Sequence, residues 1–182
     1  MIISISGTPG SGKNTIADML AKKLKLKHYS MGDLRGKMAI DKGMTIGELN
    51  KLGEKESFTD KEIDEYQKKL GEKEDNFVID GRLSFYFIPQ SIKIYLDVDP
   101  REGARRIFTS PPRKDEQKYN SIEEVITANK ERIESDKKRY KKYYNIDSYD
   151  KKYYDFVIDT TKLRPKEIAD IILKFLKEKG YI

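Results

Sequence analysis

The residues best suited to chemistry stand near the start of the chain, in Gly7-Thr8-Pro9-Gly10-Ser11-Gly12-Lys13-Asn14-Thr15. Glycines let a backbone curl until successive amide N–H groups point at one centre, and such a concavity binds anions. A helix starting just beyond adds the positive end of its dipole, and a lysine at this spacing reaches the outer phosphates of a nucleotide. The flanks are those this chemistry requires. The apolar run MIISIS reads as a buried strand before the loop, and Asn14–Leu24 places Ile16, Met19, Leu20 and Leu24 at helical spacing after it. One position departs from the common pattern: Asn14 stands where most phosphate loops carry the Ser or Thr that ligates magnesium.

Transfer of a phosphoryl group to an anionic acceptor calls for arginines, because a planar guanidinium clamps phosphate through two hydrogen bonds. Three contexts stand out. Arg35 lies in Ser30-Met31-Gly32-Asp33-Leu34-Arg35, at a helix start. Arg82 follows the strand-like NFVID by one glycine, at the carboxyl edge where ligands bind in open α/β sheets. Arg132, Asp136 and Arg139 fall at i, i+4 and i+7 and share one face of a long helix. Taken alone, that triplet reads as a solvated salt-bridge ladder.

The elements that must hold these groups are legible in outline. LKHYS, NFVID, IKIYLDV and DFVID read as further strands; the longer apolar runs are of the kind covered on both faces. Between them, 32–41, 45–53 and 59–70 predict short helices, 100–108 another, 121–144 a long charged helix and 165–179 a closing helix with Pro165 in its first turn. The segment 109–120, with Pro111-Pro112, predicts a loop. Alternating strands and helices argue for an α/β fold with a parallel sheet and right-handed crossovers.

Composition bounds the alternatives. The chain has 182 residues, of which 37% are hydrophobic and 37% charged, a length suited to one core. No apolar run approaches the roughly 20 residues of a membrane span. There is no cysteine and only one histidine, His28, which excludes disulfide scaffolds and thiolate sites and argues against histidine triads and zinc centres. A net charge of +6 favours an anionic partner without saying which. With no leader-like segment at the start, the expectation is a cytoplasmic protein.

GTPGSGKNT resembles the phosphate loop of nucleoside monophosphate kinases, in which the residue after lysine is often not hydroxylated and Thr follows. Val78-Ile79-Asp80-Gly81-Arg82, then Pro89, Lys93-Ile94-Tyr95-Leu96-Asp97 and Arg101…Ala104-Arg105-Arg106 are similar to the corresponding stretch of cytidylate kinases. Glu131-Arg132…Asp136…Arg139 and Ile158-Asp159-Thr160-Thr161 extend that resemblance, and RYKKYYNIDSYDKKYYDFVIDT looks like the archaeal type. The archaeal pattern Asp-x-Arg-Gln is matched here by Asp64-Glu65-Tyr66-Gln67, with Tyr66 in the arginine position.

The resemblance implies a P-loop NTPase three-layer fold, a five-stranded parallel sheet flanked by helices, as one domain over 1–182. It also implies a mobile acceptor-binding segment at about 31–74 and a lid at about 108–120. The implied reaction is transfer of the γ-phosphoryl of ATP, with Mg2+, to CMP or dCMP. Lys13, Arg82, Arg106 and Arg132 would be catalytic. The loop from Gly7 to Thr15 would bind ATP together with Arg106 and Arg113. Ser30, Arg35, Asp64, Gln67, Arg82, Arg132, Asp136 and Arg139 would contact the acceptor nucleotide, and Asp136 can accept from the cytosine amino group. Asp80 would act on the metal through water. The implied partners are the two nucleotides, with no membrane, no nucleic acid and a monomeric chain.

Two other readings stay open at this point. One is a kinase of another small acceptor: AMP, UMP, or a shikimate-like or dephospho-coenzyme A-like molecule. The other is a nucleotide-dependent RNA-binding factor. Residues 129–154 carry seven Lys, two Arg and six of the 12 tyrosines, and basic residues interleaved with aromatics can form a single-strand platform.

Overall fold

Short segments, apolar in β1, β3 and β5, interrupted by Lys93 in β4 and largely polar in β2, form the strands of one parallel sheet: β1 (Ile2–Gly7), β2 (Lys27–Ser30), β3 (Phe77–Asp80), β4 (Ile92–Asp97) and β5 (Phe156–Asp159). The computed structural model describes residues 1–111 and 114–182. Strand order is β2-β3-β1-β4-β5. Every residue of β1 and β3 is buried, which explains why neither alternates polar with apolar.

Successive side chains of β1 serve opposite faces. Ile3 and Ile5 pack with Ile16 and Leu20 of α1 (Lys13–Leu24) and with Ile168 and Ile172 of α8 (Pro165–Glu178). Ile2, with Phe77 and Ile79 of β3, packs against Met31, Ile63, Leu70 and Ile88. The second face is covered by α2 (Met31–Asp41) and α4 (Phe58–Lys73), which together with α3 (Ile46–Lys55) are inserted between β2 and β3. Then follow α5 (Ser84–Phe87), α6 (Pro100–Thr109) and α7 (Ile122–Tyr144). Side chains satisfy the helix starts: Ser30 accepts from the Asp33 amide, Thr45 and Glu48 form a capping box, and Asp99 accepts from the amides of Arg101 and Glu102.

The helices anticipated from spacing are present within one to three residues at each end. The short helix α5 and a 3-10 turn at Lys151–Tyr153 are additional, and segments of four and three residues are too short to show a period. The tyrosines of 129–154 do not form an open platform. Tyr140 and Tyr154 are buried among Leu83, Phe85, Tyr95 and Ile146, with Tyr144, Tyr149 and Tyr153 packed against them. Among the described residues no helix is long and apolar enough to cross a membrane.

The topology aims all strands at one crevice. Beyond the central β1 the chain turns toward β3 and β2, whereas beyond β4 it turns toward β5. Connections therefore diverge at the carboxyl ends of β1 and β4, where a ligand has room to bind. Gly7, Ser30, Asp80, Asp97 and Asp159 are the last residues of the five strands.

Candidate active site

The loop after β1 is seated by close backbone approaches. A Cβ on Gly7 would lie 2.0 Å from the Leu96 carbonyl oxygen of β4, at φ 151°. A Cβ on Gly10 would lie 2.2 Å from the Gly103 carbonyl oxygen of α6, at φ 76°. The loop thus rests directly on β4 and α6, and bare glycine is what permits it. Lys13 Nζ folds back and donates to the Thr8 carbonyl at 3.0 Å, while Thr8 Oγ1 accepts from the Val98 amide at 3.1 Å. Withdrawal from water, then the nearby Arg82 and Arg132 guanidiniums, lower the Lys13 pKa well below its ordinary value; Asp80 and Asp136 only partly oppose them. This ammonium is short of anionic neighbours, the condition a polyphosphate relieves.

Asn14 has a different task from the hydroxyl it replaces. Its Nδ2 donates to Ser30 Oγ at 3.1 Å and to Asp33 Oδ2 at 3.0 Å, tying α1 to the start of α2. Ser30 Oγ in turn reaches Asp80 Oδ1 at 3.4 Å, and His28 Nε2 lies 2.9 Å from Asp80 Oδ2. Asp80 is buried at the end of β3. Among the described residues no three His, Asp or Glu side chains cluster as a metal cage. A buried carboxylate beside a phosphate loop fits a magnesium ion that arrives with its nucleotide and keeps most of its waters.

The arginines meet in a buried network. Arg82 Nη1 donates to the Gly7 carbonyl, and its Nε donates to Asp136 Oδ2 at 2.7 Å. Asp136 also accepts from Arg139 Nη2 and, at 2.7 Å, from the Tyr149 hydroxyl. Arg139 Nη1 continues to Asp60 Oδ1, which accepts from Arg35 Nη1 at 3.0 Å. Arg132 Nη1 reaches Glu116 Oε1 at 3.4 Å. Asp136 is 3% exposed and Arg139 1%, so the i, i+4, i+7 triplet is not a solvated ladder. Burial alone would raise the Asp136 carboxyl; Arg82, Arg139 and Arg132 together hold it well below the usual carboxylate range. Two buried donors of this network, Arg35 Nη2 and Arg139 Nε, find no hydrogen-bond partner among the described residues.

On α4, Asp64 accepts from the Tyr144 hydroxyl and, at 3.0 Å, from Gln67 Nε2; Gln67 accepts from Ser84 Oγ at 2.9 Å. Burial pushes the Asp64 carboxyl up to about 7. On the far side of the loop, Arg106 Nη2 donates to the carbonyls of Thr160 at 2.7 Å and Thr161 at 3.1 Å, while its Nε donates to Glu102 at 2.9 Å. Those contacts hold the guanidinium at the end of β5.

All of this surrounds one cavity of about 960 Å³. Among the described residues singled out by sequence, only Gly7 and Thr8 do not line it; they form the underside of the loop. Arg113 lies outside the described residues. The lining falls into two halves. Arg106 and residues 161–165 lie on the β4–β5 side, and Arg35, Asp64, Gln67, Asp136 and Arg139 lie on the other, with Lys13, Arg82 and Arg132 also on its wall. Sequence reasoning missed Asp60, Asn50, Glu116 and Tyr149. Asp60 and Glu116 are ordinary surface-type acids in a charge-rich chain, and only their burial or pairing sets them apart.

Residues 2–162 match the Cytidylate kinase-like family. The chain is 37% identical over 180 residues to a cytidylate kinase of Archaeoglobus fulgidus, covering 98% of this chain and 96% of that one. It is 38% identical over 178 residues to a cytidylate kinase of Methanocella arvoryzae, covering 98% of each. Among solved structures, the shikimate kinase of Bacteroides thetaiotaomicron superposes with a TM-score of 0.66 at 15% identity, over 97% of this chain and 98% of that one. That of Aquifex aeolicus gives 0.59 at 21% identity, over 99% and 98%. At these identities the likeness is one of fold.

Proposed function

The chain belongs to the cytidylate kinase-like family, and from that footing we propose how its residues carry an ATP-dependent phosphoryl transfer to CMP or dCMP. The observation that carries the proposal is that Lys13, Arg82 and Arg132 line one cavity and stand close enough for both guanidiniums to lower the Lys13 pKa. ATP takes the half with the phosphate loop and Arg106, its base against that guanidinium. The monophosphate takes the half walled by α2, α4 and α7, its phosphate toward Arg35, Arg82 and Arg132. Its nucleoside faces Ser30, Asp64, Gln67, Asp136 and Arg139.

The acceptor phosphate oxygen is already an adequate nucleophile, so no general base is required. It bonds to the γ-phosphorus as the bond to the β–γ bridging oxygen breaks, giving CDP or dCDP and ADP. Catalysis is then positioning and charge neutralisation by Lys13 and the arginines. Asp80, through water, would orient a magnesium ion bound with ATP, which would supply further charge neutralisation at the phosphates. Residues 31–74 and the described residues of 108–120 close over the paired substrates and exclude water. A bond from the Ile46 amide to the Asp115 carbonyl, at 2.8 Å, links those two segments and supports their moving together. Lys13→Ala is expected to lower CMP-dependent turnover by about 100-fold or more. A loss under about tenfold would remove Lys13 from the mechanism.

A further inference from the structure

Asp60 carries no mark in the sequence: it is an acid in the first turn of α4, a position that favours acids for the helix dipole alone. Its surroundings are unlike those of a helix-end acid. It is 4% exposed, and its Oδ1 is shared by two guanidiniums from different elements, Arg35 of α2 and Arg139 of α7. Its Oδ2 accepts from Thr59 Oγ1 at 3.4 Å. Arg35 is further fixed by Asn50 Oδ1 of α3 at 2.9 Å and by the Thr59 carbonyl at 3.0 Å, and Arg139 by Asp136. Each still keeps one buried N–H with no hydrogen-bond partner among the described residues, Arg35 Nη2 and Arg139 Nε.

Two cations do not settle side by side unaided. Burial, then the charge of Arg139, lowers the Arg35 pKa, and Asp60 is the first group opposing them. The backbone is shaped for this meeting as well. A Cβ on Gly53 of α3 would come within 2.7 Å of Thr59 Oγ1, 3.0 Å of Arg139 Cδ and 3.1 Å of Asp60 Oδ2. The α3–α4–α7 junction closes around Asp60 because that position is bare.

We propose that Asp60 is a positioning residue that fixes the separation of Arg35 and Arg139, and through it the span between the phosphate and nucleoside contacts of the acceptor. This rests on the reading that those two arginines serve the acceptor. Each arginine side chain has rotamer entropy to lose on binding. Holding both in place beforehand removes that cost from acceptor binding and leaves ATP binding untouched. Asp60 touches neither nucleotide in this account; it acts through its two partners.

The test is steady-state kinetics of the full chain with CMP and ATP varied separately, for the parent, Asp60→Asn and Asp60→Glu. Asp60→Asn keeps the shape and removes the charge; Asp60→Glu keeps the charge and displaces it by one methylene. The expected result is a KM for CMP raised at least about tenfold in Asp60→Asn, with a KM for ATP within about twofold of the parent. Asp60→Glu is expected to show the same asymmetry in smaller measure. If Asp60→Asn does not fold by circular dichroism, Asp60→Glu alone decides, and an acceptor-selective rise of at least about threefold supports the proposal. Equal effects on both KM values, no effect on either, or loss of fold in both variants would assign Asp60 a purely structural place and overturn it. The parent decides the underlying reading separately: absence of CMP-dependent ADP release overturns that reading and this inference together. A working parent with symmetric variants overturns the inference alone.

Discussion

Replacing Asp136 with asparagine probes the charge balance on which the site depends. The carboxylate takes the Arg82 Nε bond at 2.7 Å, the Tyr149 hydroxyl at 2.7 Å and a bond from Arg139. It is 3% exposed, and Arg139 is 1% exposed. Asparagine fills the same space but removes the carboxylate charge that Arg82 and Arg139 share, so Arg82 loses the ion pair it makes with Asp136 and Arg139 keeps Asp60. Breaking a buried ion pair from one side costs about 3–5 kcal/mol. Against the usual 5–15 kcal/mol of a folded domain, that is a large fraction. Urea denaturation at pH 7 should therefore show a midpoint well below the parent at unchanged m-value. Asp18→Asn is the control: its bond to Lys22 at 2.7 Å is exposed, and such pairs contribute about 0–1 kcal/mol. Because an anion can stand in for the missing charge, saturating CMP should recover part of the loss. A stability change under about 1 kcal/mol for Asp136→Asn would refute the claim that this network is held together by its charges.

Gly10→Ala should act on ATP in preference to CMP. The new methyl would meet Gly103 backbone at 2.2 Å and adopt φ 76°, so the loop must lift from α6. Strain and overpacking of about 2–4 kcal/mol predict a clear loss of ATP-analogue affinity by calorimetry, and unchanged affinity would contradict the described seating of the loop. Asp64 should give stability a pH slope. Its carboxyl sits at about 7 in the folded protein against an ordinary 3.8, so between those values the folded state holds a proton that the unfolded chain has released. Stability then falls as pH rises from about 4 to 7, by at most about 4 kcal/mol. Asp64→Asn should flatten that slope and exceed the parent at pH 8 in urea titrations; an unchanged slope would move the titrating group elsewhere.

What could be seen in the sequence was what is contiguous. The phosphate loop is nine consecutive residues, and the strand before it and the helix after it are their own evidence. Arg82 could be placed because it follows β3 almost directly, at an edge where parallel sheets bind ligands. The face shared by Arg132, Asp136 and Arg139 was legible from helical spacing, but its burial was not, since solvated and buried ion pairs have the same pattern. Asp60 was invisible because its meaning is non-local: Arg35 and Arg139 stand 25 and 79 residues away from it. The tyrosines of 129–154 left two readings open for the same reason, because composition says nothing of which of them pack with Phe85 and Tyr95.

ADP release, coupled to a spectrophotometric readout and run with ATP and magnesium against CMP, dCMP, UMP, AMP and GMP in parallel, tests the central claim most directly. The account predicts that CMP and dCMP give the highest kcat/KM of the panel and that ADP release without acceptor is slow. Turnover confined to AMP, or ADP release indifferent to every monophosphate, would contradict it.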